Sequence, residues 1–220
     1  MSSSPNTPRI LKGGLVLLDP NTSAALRVIT LQYNSDTLSR TLQVQAVAAG
    51  DGADRSEALR IKGPPVETIK LEAEIDATDQ LEFPGQSQLT AELGIFPQLA
   101  LLETLVYPTS AQLQANNTLQ GNGTLEILPM EAPLTLFVWS SVRVLPVRVT
   151  ELSITEEAFD AGLHPIRAKV SLGLRVLTVA DLGFAHKGGA LFMNYLRQKE
   201  QMAARAVAGG LGQLGLKGIP

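Results

Sequence analysis

The sequence contains no cysteine and only two histidines among its 220 residues. Without thiols, the chain has neither disulfide bonds nor thiolate metal sites. The histidines, His164 and His186, are isolated in the sequence, and neither has a second histidine at the spacing of metal ligands. We therefore expect no catalytic, metal-binding or cofactor-binding residues. The absence of cysteine also fits a reducing compartment.

Long apolar runs and clusters of positive charge are absent as well. No apolar run approaches the ~20 residues needed to span a bilayer, and the first residues, MSSSPNTP, lack the apolar core of a secretion signal. We expect a cytoplasmic protein with no membrane span. The net charge is −3 without a basic block, which argues against nucleic acid as a partner.

Charged residues are also scarce. They make up 18% of the chain, against about 25% in typical proteins, whereas apolar residues make up 45%. A surface with so little charge can belong to an ordinary protein with a more apolar exterior, and it also suits a subunit that buries part of its surface in an assembly, because obligate interfaces resemble protein cores.

The hydrophobic pattern predicts a mainly β chain with one internal helix and one C-terminal helix. Predicted strands cover 9–18 and 25–33, a shorter extended segment lies within 34–47, and two further short strands are expected at 124–129 and 133–139. Residues 95–108 show the apolar spacing of an amphipathic helix, and 109–123 are expected to be a polar linker.

Strict alternation over 63–81 predicts a half-buried strand with an acidic outer face. One phase holds apolar side chains, and the other holds charged ones: Ile69, Leu71, Ala73 and Ile75 against Lys70, Glu72, Glu74 and Asp76.

Two unusually long strands follow. The first, 142–154, changes phase twice, so we expect a bulge or edge position at Leu145–Pro146 and a bend near Thr150–Glu151. The second, 166–178, alternates without interruption, and we expect Ile166, Val170, Leu172 and Leu174 on its packed face. A connection at 155–165, with one helical turn, should make the two strands antiparallel.

The rest of the chain divides into appendages. We expect a flexible N-terminal tail at 1–8, a β domain at 9–180, and a C-terminal helix with a glycine-rich tail at 181–220, the helix covering 190–208. The tail contains GLGQLG, which fits the dinucleotide-binding pattern. A helix precedes it rather than a strand, so we do not expect dinucleotide binding.

Charged residues on the long strands are the candidates for contacts with other subunits or with a lumen. They are Arg143, Arg148, Arg167, Lys169 and Arg175, with Glu72, Glu74 and Asp76 on the acidic strand. Solvated outer faces explain such residues equally well. In an assembly, we expect the basic face either to line a lumen or to dock on an acidic neighbouring surface, with docking favoured for Arg167 and a lumen for Arg175.

Four stretches of this sequence, in order, resemble the tube-type proteins of phage-tail-like contractile injection systems. They are LQYNSDTLSRTLQ (31–43), GPPVETIKLEAEIDATD (63–79), GIFPQLALLETLVYP (94–108) and the long segment 137–177, with Trp139, LPVRVTELSITEEAFD and PIRA in the family's order. Ser35 stands where the family usually has proline. The resemblance covers roughly residues 9–180.

The resemblance implies a tail-tube fold, a β-barrel or sandwich with a flanking helix. It further implies a structural, non-enzymatic subunit of a hexameric ring that joins the inner tube to the baseplate and spike hub, as a tube initiator. The implied partners are copies of itself, the inner tube protein, the spike or hub protein and other baseplate proteins. The C-terminal LysM module of many members has no counterpart in residues 181–220.

Two other functions remain open on the sequence. One is a peptidoglycan-binding or other accessory adaptor of the same particle, against which the missing LysM module counts. The other is a hydrolase that uses His164 with Glu156 or Asp160, although acidic residues near a loop histidine are more typical of a solvated loop or a helix N-terminus.

Overall fold

A computed structural model of the chain describes residues 11–19, 22–46, 60–83, 85, 87–121, 132–206 and 209–219. Seven strands lie within these residues: β1 Gly14–Leu18, β2 Ala25–Thr30, β3 Leu38–Gln43, β4 Val66–Asp76, β5 Leu134–Ser140, β6 Arg143–Phe159 and β7 Pro165–Val176. The helices are α1 Thr78–Leu81, α2 Gln88–Leu93, α3 Phe96–Glu103, α4 Ser110–Gly121, α5 Val179–Leu182 and α6 Lys187–Arg205, and Leu211–Leu214 form a 3₁₀ turn. The predicted mainly β class is confirmed.

The seven strands form one antiparallel sheet in the order β2-β1-β5-β6-β7-β4-β3. In the described part of the chain, β2 and β3 occupy opposite edges and do not pair with each other. The sheet that these strands form is therefore open and does not close into a barrel.

The long strand pair is confirmed and is longer than predicted. β6 has 17 residues and β7 has 12, and they pair antiparallel. Because β6 continues to Phe159, the predicted connection over 155–165 with its helical turn is wrong, and only residues 160–164 separate the strands. Residues 155–159 are part of the strand because nearly all of them pair with β7.

One of the two predicted irregularities in β6 is present. The pairing with β7 passes from Val149 directly to Glu151, so Thr150 is the extra residue that shifts the apolar phase from Val149 to Leu152. The other prediction, at Leu145–Pro146, is wrong, because both residues pair in regular register with β5. The apolar phase changes there because β6 is buried on both faces, with Leu145, Pro146 and Val147 all inaccessible.

Pro146 is tolerated in this central strand because of where β7 ends. Its carbonyl accepts a hydrogen bond from the Leu177 N–H, one residue beyond the end of β7. In an antiparallel pair, the N–H and C=O of one residue point to the same side. An N–H at residue 146 would therefore point toward residue 177, beyond the end of β7, and not toward β5. Its absence in proline removes no hydrogen bond between β5 and β6.

The main core lies on one face of the sheet. The predicted packed face of β7 is confirmed: Val170, Leu172 and Leu174 are at most 1% exposed, and Ile166 packs at the edge of the core. The predicted apolar phase of β4 faces the same core. Leu99 and Leu102 of α3 and Phe192 and Tyr195 of α6 cover it, and a smaller cluster around Leu134 and Leu136 lies near α5 and the start of α6.

Residues 109–123, predicted to be a linker, contain the helix α4. Its start is a capping box. The Gln112 side chain accepts a hydrogen bond from the Thr109 N–H, and the Thr109 hydroxyl accepts one from the Gln112 N–H. The sequence TSAQ carries this signal, but the polar composition of the helix gave no apolar periodicity.

The C-terminal helix is confirmed, but it begins earlier than residue 190. The His186 side chain caps it by accepting a hydrogen bond from the Gly188 N–H. Gly189 is required, because a Cβ there would lie 1.9 Å from the Gly183 carbonyl oxygen. The predicted tail at 1–8 and the predicted strand at 124–129 lie outside the described residues.

Candidate assembly surfaces

The face of the sheet opposite the main core is a broad polar surface made by β6, β7, β4 and β3. Register places side chains from neighbouring strands in rows across it, for example Arg148 beside Arg175 and Thr68, and Thr155 beside Lys169 and Glu74. We call this surface the polar face. Its members are Ser39, Thr41, Thr68, Lys70, Glu72, Glu74, Asp76, Arg148, Glu151, Ser153, Thr155, Arg167, Lys169, Ser171 and Arg175.

The polar face carries mixed charge, whereas the sequence suggested a basic face. One of the two arrangements expected from the sequence, docking, had the acidic residues of β4 meeting the basic residues of β7 between copies. The structure brings them together in one chain, because β4 pairs with β7 and places Asp76 opposite Arg167 and Glu74 opposite Lys169. Opposite charges in neighbouring strands offset each other across the pair.

Arg167 and Asp76 form the closest of these contacts. The Arg167 Nη2 atom lies 2.7 Å from Asp76 Oδ2, and Glu74 Oε1 lies 3.8 Å from Arg167 Nε. Hydrogen bonds from the Thr78 hydroxyl and N–H, together with the Arg167 guanidinium, lower the pKa of Asp76 below its ordinary value of 3.8. The same carboxylate holds the first turn of α1 and joins β4 to β7.

Lys169 and Arg175 also have partners in their own chain. Lys169 Nζ lies 2.8 Å from Glu157 Oε1, and this contact raises the pKa of Lys169. Arg175 Nη2 lies 2.7 Å from Asp181 Oδ1, on the residue that closes the capping box of α5. Arg148 lies beside Arg175 in the register, and its side chain is exposed on the polar face.

A glycine allows charges to pair across β7. Gly173 lies between Lys70 and Glu151 in its row, and Lys70 Nζ lies 3.6 Å from Glu151 Oε2. A Cβ at Gly173 would lie 3.0 Å from the Glu151 Cβ, so a side chain there would crowd this pair.

Arg143 is not part of the polar face. It is the first residue of β6, pairs with Ser140 of β5 and lies at the end of the strand that is far from the β6–β7 turn. By alternation its side chain shares the phase of the buried Leu145 and not that of the polar face. The structure therefore separates Arg143 from the other basic candidates.

His164 and Asp160 shape the turn between β6 and β7. The Asp160 carboxylate accepts hydrogen bonds from the N–H groups of Gly162 and His164, and His164 Nδ1 lies 2.9 Å from its second oxygen. The hydrogen bonds from the backbone and ring of His164 lower the pKa of Asp160. Both oxygens of the Asp160 carboxylate thus have partners within the turn. His164 and Asp160, one of the residue pairs considered for a hydrolase, therefore have a structural role in the turn.

The two sheet edges are exposed. All residues of β2 except Ile29 are accessible, including Leu26 at 56% and Val28 at 59%. On β3, Leu42 is 46% exposed. Neither strand contains lysine or proline, which commonly protect an edge from pairing with another chain, and each carries a single arginine, Arg27 or Arg40.

Comparisons with known proteins give no family assignment. No protein-family profile and no curated protein sequence matches the chain. Among solved structures, a chain in the tail of an empty gene transfer agent particle with C6 symmetry matches at a TM-score of 0.29 and 10% identity, covering 74% of this chain and 90% of that one. A chain in the virion of the native gene transfer agent particle matches at 0.28 and 10%, with the same coverage. Similarity at this level does not establish a common fold or function.

A buried ionic cluster, which the sequence analysis missed, attaches α6 to the sheet. Glu67 is 3% exposed, and its carboxylate lies 2.6 Å from Arg40 Nη2 and 3.2 Å from Lys199 Nζ. The Arg40 guanidinium also donates to the Tyr195 hydroxyl. Glu67 shares the phase of Ile69 and Leu71, so strand alternation was a signal that this carboxylate faces the core.

The described residues contain no group of three His, Asp or Glu side chains arranged to hold a metal ion. None of the helices described is long and apolar enough to cross a bilayer.

Proposed function

We propose that the chain is a structural subunit of a phage-tail-like contractile injection system, one that forms a ring between the inner tube and the baseplate or spike hub. The observation that carries this proposal is the pair of exposed edge strands, β2 and β3, at opposite ends of one open sheet. The sequence resemblance of residues 9–180 to tube-type proteins supports it.

The two edges suggest how copies join. An exposed edge strand with apolar side chains and no protecting lysine or proline is a template for pairing with another chain. Because β2 and β3 differ, pairing of β2 in one copy with β3 in the next is a head-to-tail contact. Such contacts generate a closed ring when the rotation between copies fits.

The polar face gives the ring its second surface. Most of its charged residues form ion pairs within the chain, with Arg148 as an exposed exception, so the face as a whole needs no protein partner to neutralise it. A sheet with one packed and one polar face, continued around a ring, presents the polar face to a water-filled lumen. Six copies are proposed from the resemblance, with the inner tube protein, the hub and other baseplate proteins as neighbours and the particle assembled in the cytoplasm.

The ring is tested on assembled particles. Native mass spectrometry and electron microscopy of isolated baseplates should show six copies around the axis, and one copy per particle would contradict the proposal. Hydrogen exchange then tests the edges. Amides of β2 and β3 should gain protection in the particle relative to the free chain, whereas amides in the centre of β7, which pair within the subunit, should not.

A further inference from the structure

The turn between β6 and β7 displays a leucine in a costly backbone conformation. Leu163 has φ of 64° and is 80% exposed. The left-handed region is unfavourable for a residue with a Cβ, and glycine or asparagine is the usual occupant of such a turn position. A strained backbone at an exposed position is a reason to ask what the side chain does.

The turn holds this conformation firmly. The Leu163 N–H donates to the Asp160 carbonyl, and the Asp160 carboxylate accepts from the N–H groups on both sides of Leu163. These hydrogen bonds hold the backbone of Leu163 in place, so its side chain stays on the outside of the turn. The Asp160 carboxylate also gives the turn a negative charge.

Leu163 belongs to a small exposed apolar surface. Phe159 pairs with Pro165 across the turn, and the Pro165 carbonyl accepts the Ile95 N–H, which brings the α2–α3 corner against the same place. Gly94 permits this contact, because a Cβ there would lie 2.1 Å from the Pro165 oxygen. We call this surface the apolar tip: Leu93 (39% exposed), Phe96 (55%), Phe159 (48%) and Leu163.

A concave apolar surface lies at the other end of α3. A groove of about 710 Å³ opens between the C-terminal end of α3 and the edge strand β2. Its lining is mainly apolar, with Leu26, Val106, Tyr107 and Pro108 among the contributors, and Arg27 is the single charged residue that lines it in the described chain. Arg27 Nη1 donates to the Thr104 hydroxyl, which holds its charge at the groove. We call this surface the β2 groove.

We propose that the apolar tip of one copy inserts into the β2 groove of a second copy, with Leu163 as the central side chain. The tip is convex, apolar and acidic at Asp160, whereas the groove is concave, apolar and carries an arginine. The two surfaces lie at opposite ends of α3, whose eight residues give a helix about 12 Å long. One chain therefore carries both halves of the contact at separate places, as a head-to-tail contact between copies requires. This inference rests on the proposed ring and specifies one of its contacts.

Cysteine cross-linking tests the contact directly, because the chain has no cysteine of its own. Leu163→Cys and Leu26→Cys proteins are mixed at high concentration and oxidised. We expect disulfide heterodimers to form several times faster than dimers of either variant alone. Leu163→Cys mixed with Ser153→Cys, which lies on the polar face, should give only the background rate. Equal rates in the two mixtures would overturn the proposal.

Leu163→Gly provides the second test. Glycine adopts a positive φ freely, so the variant should unfold at the same temperature as wild type or higher. We nevertheless expect it to enter particles poorly, because the central side chain of the contact is missing. Particles with the normal six copies of Leu163→Gly would refute the tip contact and leave the proposed ring standing, whereas wild-type particles without a ring would refute the proposed function itself. Poor entry without the Leu163–Leu26 disulfide would show that the tip binds a different protein, which also overturns the proposal.

Discussion

Arg167 and Asp76 lie directly opposite each other on β7 and β4, with Arg167 Nη2 2.7 Å from Asp76 Oδ2. From the sequence, docking between copies was favoured for Arg167, with Asp76 as one candidate partner, and a lumen was the other alternative for the basic face. Their pairing within one chain means that the acid is already neutralised, and it connects the two strands beside the turn that presents the apolar tip.

Replacing Asp76 by Asn should destabilise the subunit by about 1 kcal/mol, because the charge-assisted bond to a partly exposed arginine is lost while the amide oxygen can still accept from Thr78. Urea unfolding at pH 7 measures this difference. Glu74→Gln is the matched control, since its carboxylate is 3.8 Å from Arg167, and the loss should be smaller.

The difference between Asp76→Asn and wild type should also depend on pH. The folded pKa of Asp76 lies below the ordinary 3.8, so the unfolded chain takes up the proton first as the pH falls. The stabilisation is complete above the unfolded pKa and is lost as the pH falls through the folded pKa. Unfolding curves should show a constant difference from pH 7 to about 5 and a shrinking one below about 4. A difference that persists unchanged at pH 2 would show that the charge of Asp76 is not its source.

Val170→Asp should unfold the subunit. Val170 is 0% exposed and lies between Ala73 of β4 and Ile154 of β6, so a carboxylate there would have no polar partner. Burying it costs several kcal/mol, comparable with the whole stability of a domain. Thermal melts followed by circular dichroism should show loss of the folded transition. Ser153→Asp, on the exposed face of the neighbouring strand, should change stability by no more than about 1 kcal/mol.

Glu67→Ala should cost about 1–3 kcal/mol, because it removes the charge-assisted hydrogen bonds of Arg40 and Lys199, both of which are partly exposed and can turn to water. The cluster joins β4 to α6, so hydrogen exchange should also show lower protection in α6. Lys70→Ala removes an exposed pair at 3.6 Å and should cost less than about 1 kcal/mol. Equal losses in the two variants would mean that the buried cluster does not hold the helix.

Arg148→Glu separates a lumen from a docked surface. In a water-filled lumen, an exposed charge is screened within ~8 Å at physiological salt, so the variant should assemble normally. On a docked surface, the new glutamate would face the negative charge that complements Arg148 in the partner, and the repulsion between like charges would block assembly. We expect normal assembly, measured by the copy number per particle. Arg175 is a poorer probe, because reversing it would break its 2.7 Å contact with Asp181 and disturb α5.

Local patterns in the sequence were enough to predict most of the described strands and the faces of β4 and β7. The period of two in β4 and β7 assigns each side chain to a face, and the burial of Val170 and Leu172 follows from it. The bulge at Thr150 was predictable for the same reason, since a strand with one buried face changes phase only where a residue leaves the ladder.

Other features were present in the sequence but were outweighed by a competing signal. The capping box of Thr109 and Gln112 marks the start of α4, yet the polar composition favoured a linker. Glu67 shares its phase with Ile69, yet a carboxylate is rarely fully buried without partners, and its partners lie far away at Arg40 and Lys199.

Only the tertiary structure decided which faces and charges meet. Alternation shows that Asp76 and Arg167 each lie opposite an apolar phase, but it contains no information on strand order or register, which depend on pairing between residues far apart in the chain. The order β2-β1-β5-β6-β7-β4-β3 places the acidic and basic strands side by side and leaves β2 and β3 at the edges. The sequence determined the elements and their faces because these are set by neighbouring residues, whereas the polar face, the edges, the tip and the groove arise from long-range packing.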